Sequence, residues 1–148
     1  MIRLVVRGEP IAQPRPRAAA FGGHARVYGA EKAHPVNTWR ERIVAAVEAQ
    51  YQGPPLDGPL RLDVEFYLGR PGRLCRKKDA DGPLPCVARP DVDNLIKAVK
   101  DALSGLVYGD DCQVVEERAR KRYHAKGAGP HAVILVGEYV DVPALDDL

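Results

Sequence analysis

The sequence predicts an α/β fold of the mixed α+β kind. One mixed β-sheet carries two helices packed on it, in the order β-α-β-α-β-β. Three observations carry this reading. Leu60, Leu62, Val64, Phe66 and Leu68 alternate with Arg61, Asp63, Glu65 and Tyr67, the period of a strand with one buried face. Two stretches, 36–51 and 94–106, repeat apolar residues at the three-and-four spacing of an amphipathic helix. A short glycine-containing turn, AKGAGP, joins two further strand-like runs near the end.

Ile2, Leu4 and Val6 alternate with Arg3 and Arg7 and open the chain as a strand. Residues 8–35 hold Pro10, Pro14, Pro16, Gly22, Gly23 and Gly29 and read as a long irregular loop, of a length that is usually functional. In the first helix Trp39, Ile43, Ala46, Val47 and Tyr51 share one face, and QGPPLDGP ends it. After the strand at 60–68, residues 69–90 are rich in Gly, Pro, Lys and Arg without periodicity, and read as a mobile basic loop. In the second helix Leu95, Val99, Ala102, Leu103 and Leu106 share a face, with Gly105 and Gly109 at its end. Strands follow at about 112–123 and at HAVILVGEY, and their short connection predicts an antiparallel pair. The β-α-β parts suit parallel pairing. Residues 140–148 read as a loose tail.

A chain of 148 residues is the usual size of one domain, so 1–148 is read as a single domain. Hydrophobic residues make up 45% and charged residues 28%, an ordinary globular balance. Aromatics at 6% argue against a stacking platform for single strands. Net charge is only +2, but its distribution is uneven. Arg3, Arg7, Arg15, Arg17 and Arg26 face one acid, Glu9, within the first 30 residues. Arg70, Arg73, Arg76, Lys77 and Lys78 form a second basic group, and Arg118, Arg120, Lys121, Arg122 and Lys126 a third. Acids gather at 91–117 and in the tail. Basic segments around an acidic centre suit a polyanion that must reach a metal site. Cys75, Cys86 and Cys112 form no C-x-x-C and fit no standard zinc spacing, which points to a reducing compartment. There is no signal peptide and no apolar run of membrane-spanning length, so a cytoplasmic protein is expected.

The chemistry concentrates in RPDVDNLIKAVKDALSGLVYGDDCQVVE, residues 89–116. Two residues on a regular helix lie about 200° apart around the axis. Asp91 and Asp93 therefore converge only if Asp91 is still extended and Asp93 sits at or near the N-cap. Capping alone would also account for one of them. Lys97 is four residues beyond Asp93, on the same helix face, a spacing that also suits a surface ion pair. Asp110 and Asp111 follow Gly109, which is also good turn chemistry. Clustered carboxylates hold Mg²⁺, a hard ion that prefers oxygen, and such ions polarise a phosphodiester and stabilise the leaving oxygen. A nearby lysine stabilises charge developing on phosphate or orients the attacking water. The histidines form no H-x-x-x-H pair, and the glycines match neither a P-loop nor a dinucleotide fingerprint, so no nucleotide cofactor is expected. Glu65 is a further carboxylate, better explained as the solvated face of its strand.

On these residues the sequence resembles the RusA family of Holliday junction resolvases, found in bacteria and their prophages. The block PDVDNLIKAVKDALSGLVYGDDCQVVE is similar to the family's D-x-D-N-x-x-K helix start, its D-A-L helix body and its D-D-x-Q-V-V segment. PRPR at 14–17 resembles its R-P-R element, and KRY at 121–123 fits its continuation. The resemblance implies that Asp91, Asp93 and Asp111 bind Mg²⁺, with Mn²⁺ as a possible substitute. It implies that Lys97 is essential, and that Asp110 matters less than Asp111. It implies a homodimer that resolves four-way DNA junctions by paired nicks in recombination and repair. A C2 dimer presents two equivalent sites to a junction of two-fold symmetry. Arg15, Arg17, Arg73, Arg76, Lys77 and Lys78 would then grip phosphates.

Two other readings are open. A non-catalytic DNA-binding module would bind junctions without cutting them. A metal-dependent hydrolase of small phosphorylated substrates would leave the basic segments unexplained, and steep salt sensitivity would tell against it. A PD-(D/E)-x-K nuclease lacks its (D/E)-x-K strand.

Overall fold

In the computed structural model the described residues are 1–15, 17–21, 24–28 and 32–147, of which 17–21, 24–28 and 147 are described in their backbone alone. The order is β1 (Ile2–Arg7), β2 (Arg17–Phe21), β3 (His24–Tyr28), α1 (Pro35–Gln50), β4 (Leu60–Leu68), β5 (Leu84–Pro85), α2 (Val92–Leu103), β6 (Val114–Tyr123) and β7 (His131–Glu138). The fold class is as predicted: a mixed five-stranded sheet, β1-β7-β4-β6-β5, with two helices.

Alternation decides which face the helices cover. Every second residue of β4 is buried, from Leu60 to Leu68. Leu4 and Val6 of β1 and Ala132, Ile134 and Val136 of β7 continue that face. Against it lie Val36, Trp39, Ile43, Ala46 and Val47 of α1, and Leu95, Ile96, Ala98, Val99, Ala102 and Leu103 of α2, in one apolar core. Each of the larger side chains contributes about 1.5–3 kcal/mol on burial, so the core suffices to fix both helices on the sheet. The opposite face carries Arg61, Asp63, Glu65 and Tyr67 of β4, each half-buried.

Two expectations are corrected. The irregular stretch 8–35 contains an antiparallel hairpin, β2 with β3, and 69–90 contains the short β5, so the order is richer than β-α-β-α-β-β. β6 and β7 do not pair with each other, because β4 lies between them. It pairs in parallel with β6 and antiparallel with β7. A buried strand satisfies both of its edges, and β4, buried at every second residue along its whole length, takes a central place. The parallel pairing expected of a β-α-β unit is found across β4-α2-β6.

The basic segment 69–90 is tied to the sheet. Arg70, almost fully buried, donates to the carbonyls of Leu74 (2.7 Å), Gly82 (2.9 Å), His124 (3.4 Å) and Ala80. Lys126 Nζ donates to the carbonyls of Arg76 (2.8 Å) and Asp79 (2.7 Å). Two inward cations thus replace the missing secondary structure as partners for the loop's carbonyls. Arg73, Lys77 and Lys78 remain exposed, and Arg76 pairs with Asp79 at 3.2 Å. The Arg76 side chain and backbone amide hold the Asp79 carboxyl below the usual carboxylate range.

Candidate functional site

The site is assembled where α2 starts and where the turn after α2 folds back on it. Asp91 is the N-cap of α2, in extended conformation with φ −73° and ψ 143°. Asp93 is the second residue of the helix, in its first turn, so Asp91 is still extended and Asp93 stands near the cap, the arrangement in which the two can converge. The Asp91 side chain makes no cap hydrogen bond, so its carboxylate is not spent on the helix. The Arg89–Pro90 peptide before it is cis.

Asp93 accepts from its neighbour's amide, Asn94 N, at 2.9 Å and pairs with Arg15 at 3.6 Å. The segment carrying Arg15 is held on α2 by Gln13, whose N–H donates to the Asn94 carbonyl at 2.9 Å. The side chain of Arg17 lies outside the described residues.

Lys97 sits one turn beyond Asp93, a rise of about 6 Å. It forms no ion pair with Asp93 among the described residues. Its Nζ lies 3.0 Å from Asp101 Oδ1 and 3.5 Å from Asp111 Oδ2. The Asp101 carboxylate, with Asp111 adding to it, holds the ammonium above its usual pKa, and partial burial opposes this. Asp101 also pairs with Arg40 of α1 at 3.5 Å, and Arg40 donates to Gln13. Asp101 and Arg40 are absent from the sequence-based site. Asp101 is four residues after Lys97, a signal readable as an i,i+4 pair, and it competes in the sequence with the equally spaced Asp93 on the other side.

Asp111 reaches Lys97 because the turn before it is fixed. The buried Tyr108 hydroxyl donates to the Lys100 carbonyl at 2.9 Å. Burial pushes the Tyr108 phenol well up, so it stays a donor. Gln113 uses both ends of its amide. Its Oε1 accepts from Gly109 N (2.9 Å) and Asp110 N (3.2 Å), and its Nε2 donates to the carbonyls of Leu56 (3.0 Å) and Gly58 (3.1 Å). Asp110 caps the short 3₁₀ turn 111–113, accepting from Cys112 N at 3.0 Å. That amide lowers the Asp110 carboxyl pKa. The two adjacent aspartates therefore have different work: Asp110 is a cap, and Asp111 faces Lys97.

Glu65 is on the face of β4 opposite the helices. It accepts from the Tyr67 hydroxyl (2.6 Å), Arg122 (3.2 Å) and Arg120, which together lower its pKa against the opposing effect of burial.

Among the described residues no three His, Cys, Asp or Glu side chains already converge on a metal position. The donor chemistry nevertheless fits a hard divalent cation. Asp91, Asp93 and Asp111 are oxygen donors within reach of solvent, and cationic side chains, Arg15 and Lys97, occupy two of them. No helix among the described residues is long and apolar enough to cross a membrane.

The family model of Endodeoxyribonuclease RusA matches residues 7–134. YqaN, an uncharacterized protein of Bacillus subtilis (strain 168), is 33% identical over 143 residues, covering 93% of this chain and 96% of its own.

Proposed function

The chain belongs to the RusA endodeoxyribonuclease family, and on that premise we propose that it is a Mg²⁺-dependent homodimer that resolves four-way DNA junctions by paired nicks in recombination or repair. The observation that carries the reading is the meeting of Lys97 with Asp111 one helical turn from Asp93, beside an N-cap Asp91 free of capping duty.

Asp91, Asp93 and Asp111 would hold Mg²⁺, which supplies activation of water and stabilisation of the leaving oxygen. Lys97, kept protonated by Asp101, stabilises charge developing on the scissile phosphate. It is unsuited to the role of general base, because its proton is held. Arg15, beside Asp93, binds the approaching phosphodiester. Arg73, Lys77 and Lys78 grip an outlying arm from a loop whose carbonyls are already tied down. Arg76, engaged with Asp79, contributes less.

The test is a nicking assay on a synthetic four-way junction with Mg²⁺, comparing the wild-type protein with Asp93→Asn. Junction-selective nicking lost in the variant supports the reading. Undiminished cutting by Asp93→Asn sinks the role of that residue. Binding without cutting at any Mg²⁺ concentration would favour the non-catalytic module.

A further inference from the structure

Lys121 is on β6, on the face turned toward the helices, in register with the buried Phe66 of β4. Its Nζ donates to the carbonyl oxygens of Ala88 at 2.6 Å and Pro90 at 2.8 Å. The second acceptor belongs to the peptide that leads into Asp91. We propose that Lys121 is a positioning residue of the metal site, fixing the main chain that aims the Asp91 carboxylate. The proposal rests on the nuclease reading of that site.

Three observations support it. First, a peptide is planar, so holding the Pro90 oxygen fixes the plane from which the Asp91 Cα leaves. With Asp91 in extended conformation and its side chain free of the helix, that plane sets where the carboxylate points. Second, the approach to Asp91 is tethered at both ends. Leu84 and Pro85 of β5 pair with Tyr123 and Arg122 of β6, and Lys121 takes hold at 88 and 90. The Cys86 thiol also contacts the Ala88 carbonyl, at 3.6 Å. Third, both acceptors of Lys121 are neutral, and it forms no ion pair among the described residues. Its ammonium therefore serves to hold main-chain carbonyls and not to balance a carboxylate. Earlier on β6, Glu117 pairs with Lys100 of α2 at 3.1 Å, so the same strand steadies the helix near its other end.

The test compares wild type, Asp91→Asn, Lys121→Met and Lys121→Arg. Mn²⁺ binding is followed by calorimetry and electron paramagnetic resonance, folding by thermal melting, and nicking by kcat and KM. Lys121→Met is expected to weaken Mn²⁺ binding roughly tenfold or more, the usual effect of losing a group that orients a ligand. Its kcat falls while KM for the junction holds. Lys121→Arg, whose guanidinium also donates to two carbonyls, recovers most of both losses. If Lys121→Met does not fold, Lys121→Gln takes its place in the same comparison. Wild-type Mn²⁺ affinity in the folded Met or Gln variant, with or without a lower melting midpoint, would overturn the proposal and leave Lys121 a structural stitch. Wild-type Mn²⁺ affinity in Asp91→Asn would instead overturn the reading of the site itself.

Discussion

Lys97 and Asp111, 14 residues apart, meet at 3.5 Å between Nζ and Oδ2, and the same ammonium lies 3.0 Å from Asp101. One cation thereby joins the helix to the turn that follows it. The pairing explains why a lysine stands among acids: without it, the Asp101 and Asp111 carboxylates would lose the cation they share. It also sets the charge state at which the site works.

Lys97→Met is expected to lower nicking by on the order of a hundredfold or more, while junction binding in chelator is largely kept. The pH profile is the sharper measurement. The folded pKa of Lys97 is raised above its ordinary value, with Asp101 the main cause. The charged form is thus fully present below the unfolded value and is lost only as pH rises through the folded one, in the far alkaline range. Between pH 6 and 9 Lys97 contributes no limb to the rate profile. A wild-type limb in that window that disappears in the Lys97→Arg variant would contradict this.

Asp110 and Asp111 are expected to separate cleanly by mutation. Asp110→Ala removes the acceptor for Cys112 N and lowers the melting midpoint, with nicking retained. The Asp110 pKa is depressed, so its contribution is present above the unfolded value and is lost as pH falls through the folded one. The melting difference between wild type and Asp110→Ala therefore shrinks in acid. Asp111→Asn keeps the midpoint and loses nicking by a hundredfold or more. The reverse pattern would exchange their roles.

How much of this was legible in the sequence depends on how local the cause is. The alternation of β4 and the apolar faces of α1 and α2 are local patterns, and the buried residues match them. The hairpin β2–β3 was missed because its flanking glycines and prolines read as loop. The adjacency of β6 and β7 was misjudged because a short connection implies pairing only when no third strand enters, and β4 enters from fifty residues away. Lys97 stands out in the pattern, and the resemblance supplies Asp111; Asp101, its other partner, is local and overlooked, while Arg40, which pairs with Asp101, is brought by packing. The resemblance ranks Asp111 over Asp110, but the physical cause, the Asp110 cap and the Gln113 amide that reaches Leu56 and Gly58, no spacing reveals.

Arg70→Met is expected to loosen the loop it fills. The carbonyls of Leu74, Ala80 and Gly82 lose a charged donor, which costs about 1.5–3 kcal/mol per hydrogen bond that water cannot replace. Limited trypsinolysis at Lys77 and Lys78 accelerates in the variant, and junction affinity falls while kcat on bound substrate holds. Unchanged proteolysis would show that Lys126 and β5 hold the loop without Arg70.

Arg15→Ala tests whether Arg15 serves the protein or the substrate. Its ion pair with Asp93 spans 3.6 Å, and the two side chains are 71% and 68% exposed. Pairs so exposed are screened and contribute little, so the melting midpoint is expected to be unchanged. On the proposed function, a divalent cation at Asp93 would compete for the same carboxylate and free the guanidinium for a phosphate. Junction affinity in Arg15→Ala is then expected to fall, and the slope of log affinity against log salt to become shallower by about 0.9, the counterion released per phosphate contact. Filter binding across a salt series measures both. An unchanged slope would assign Arg15 to Asp93 alone.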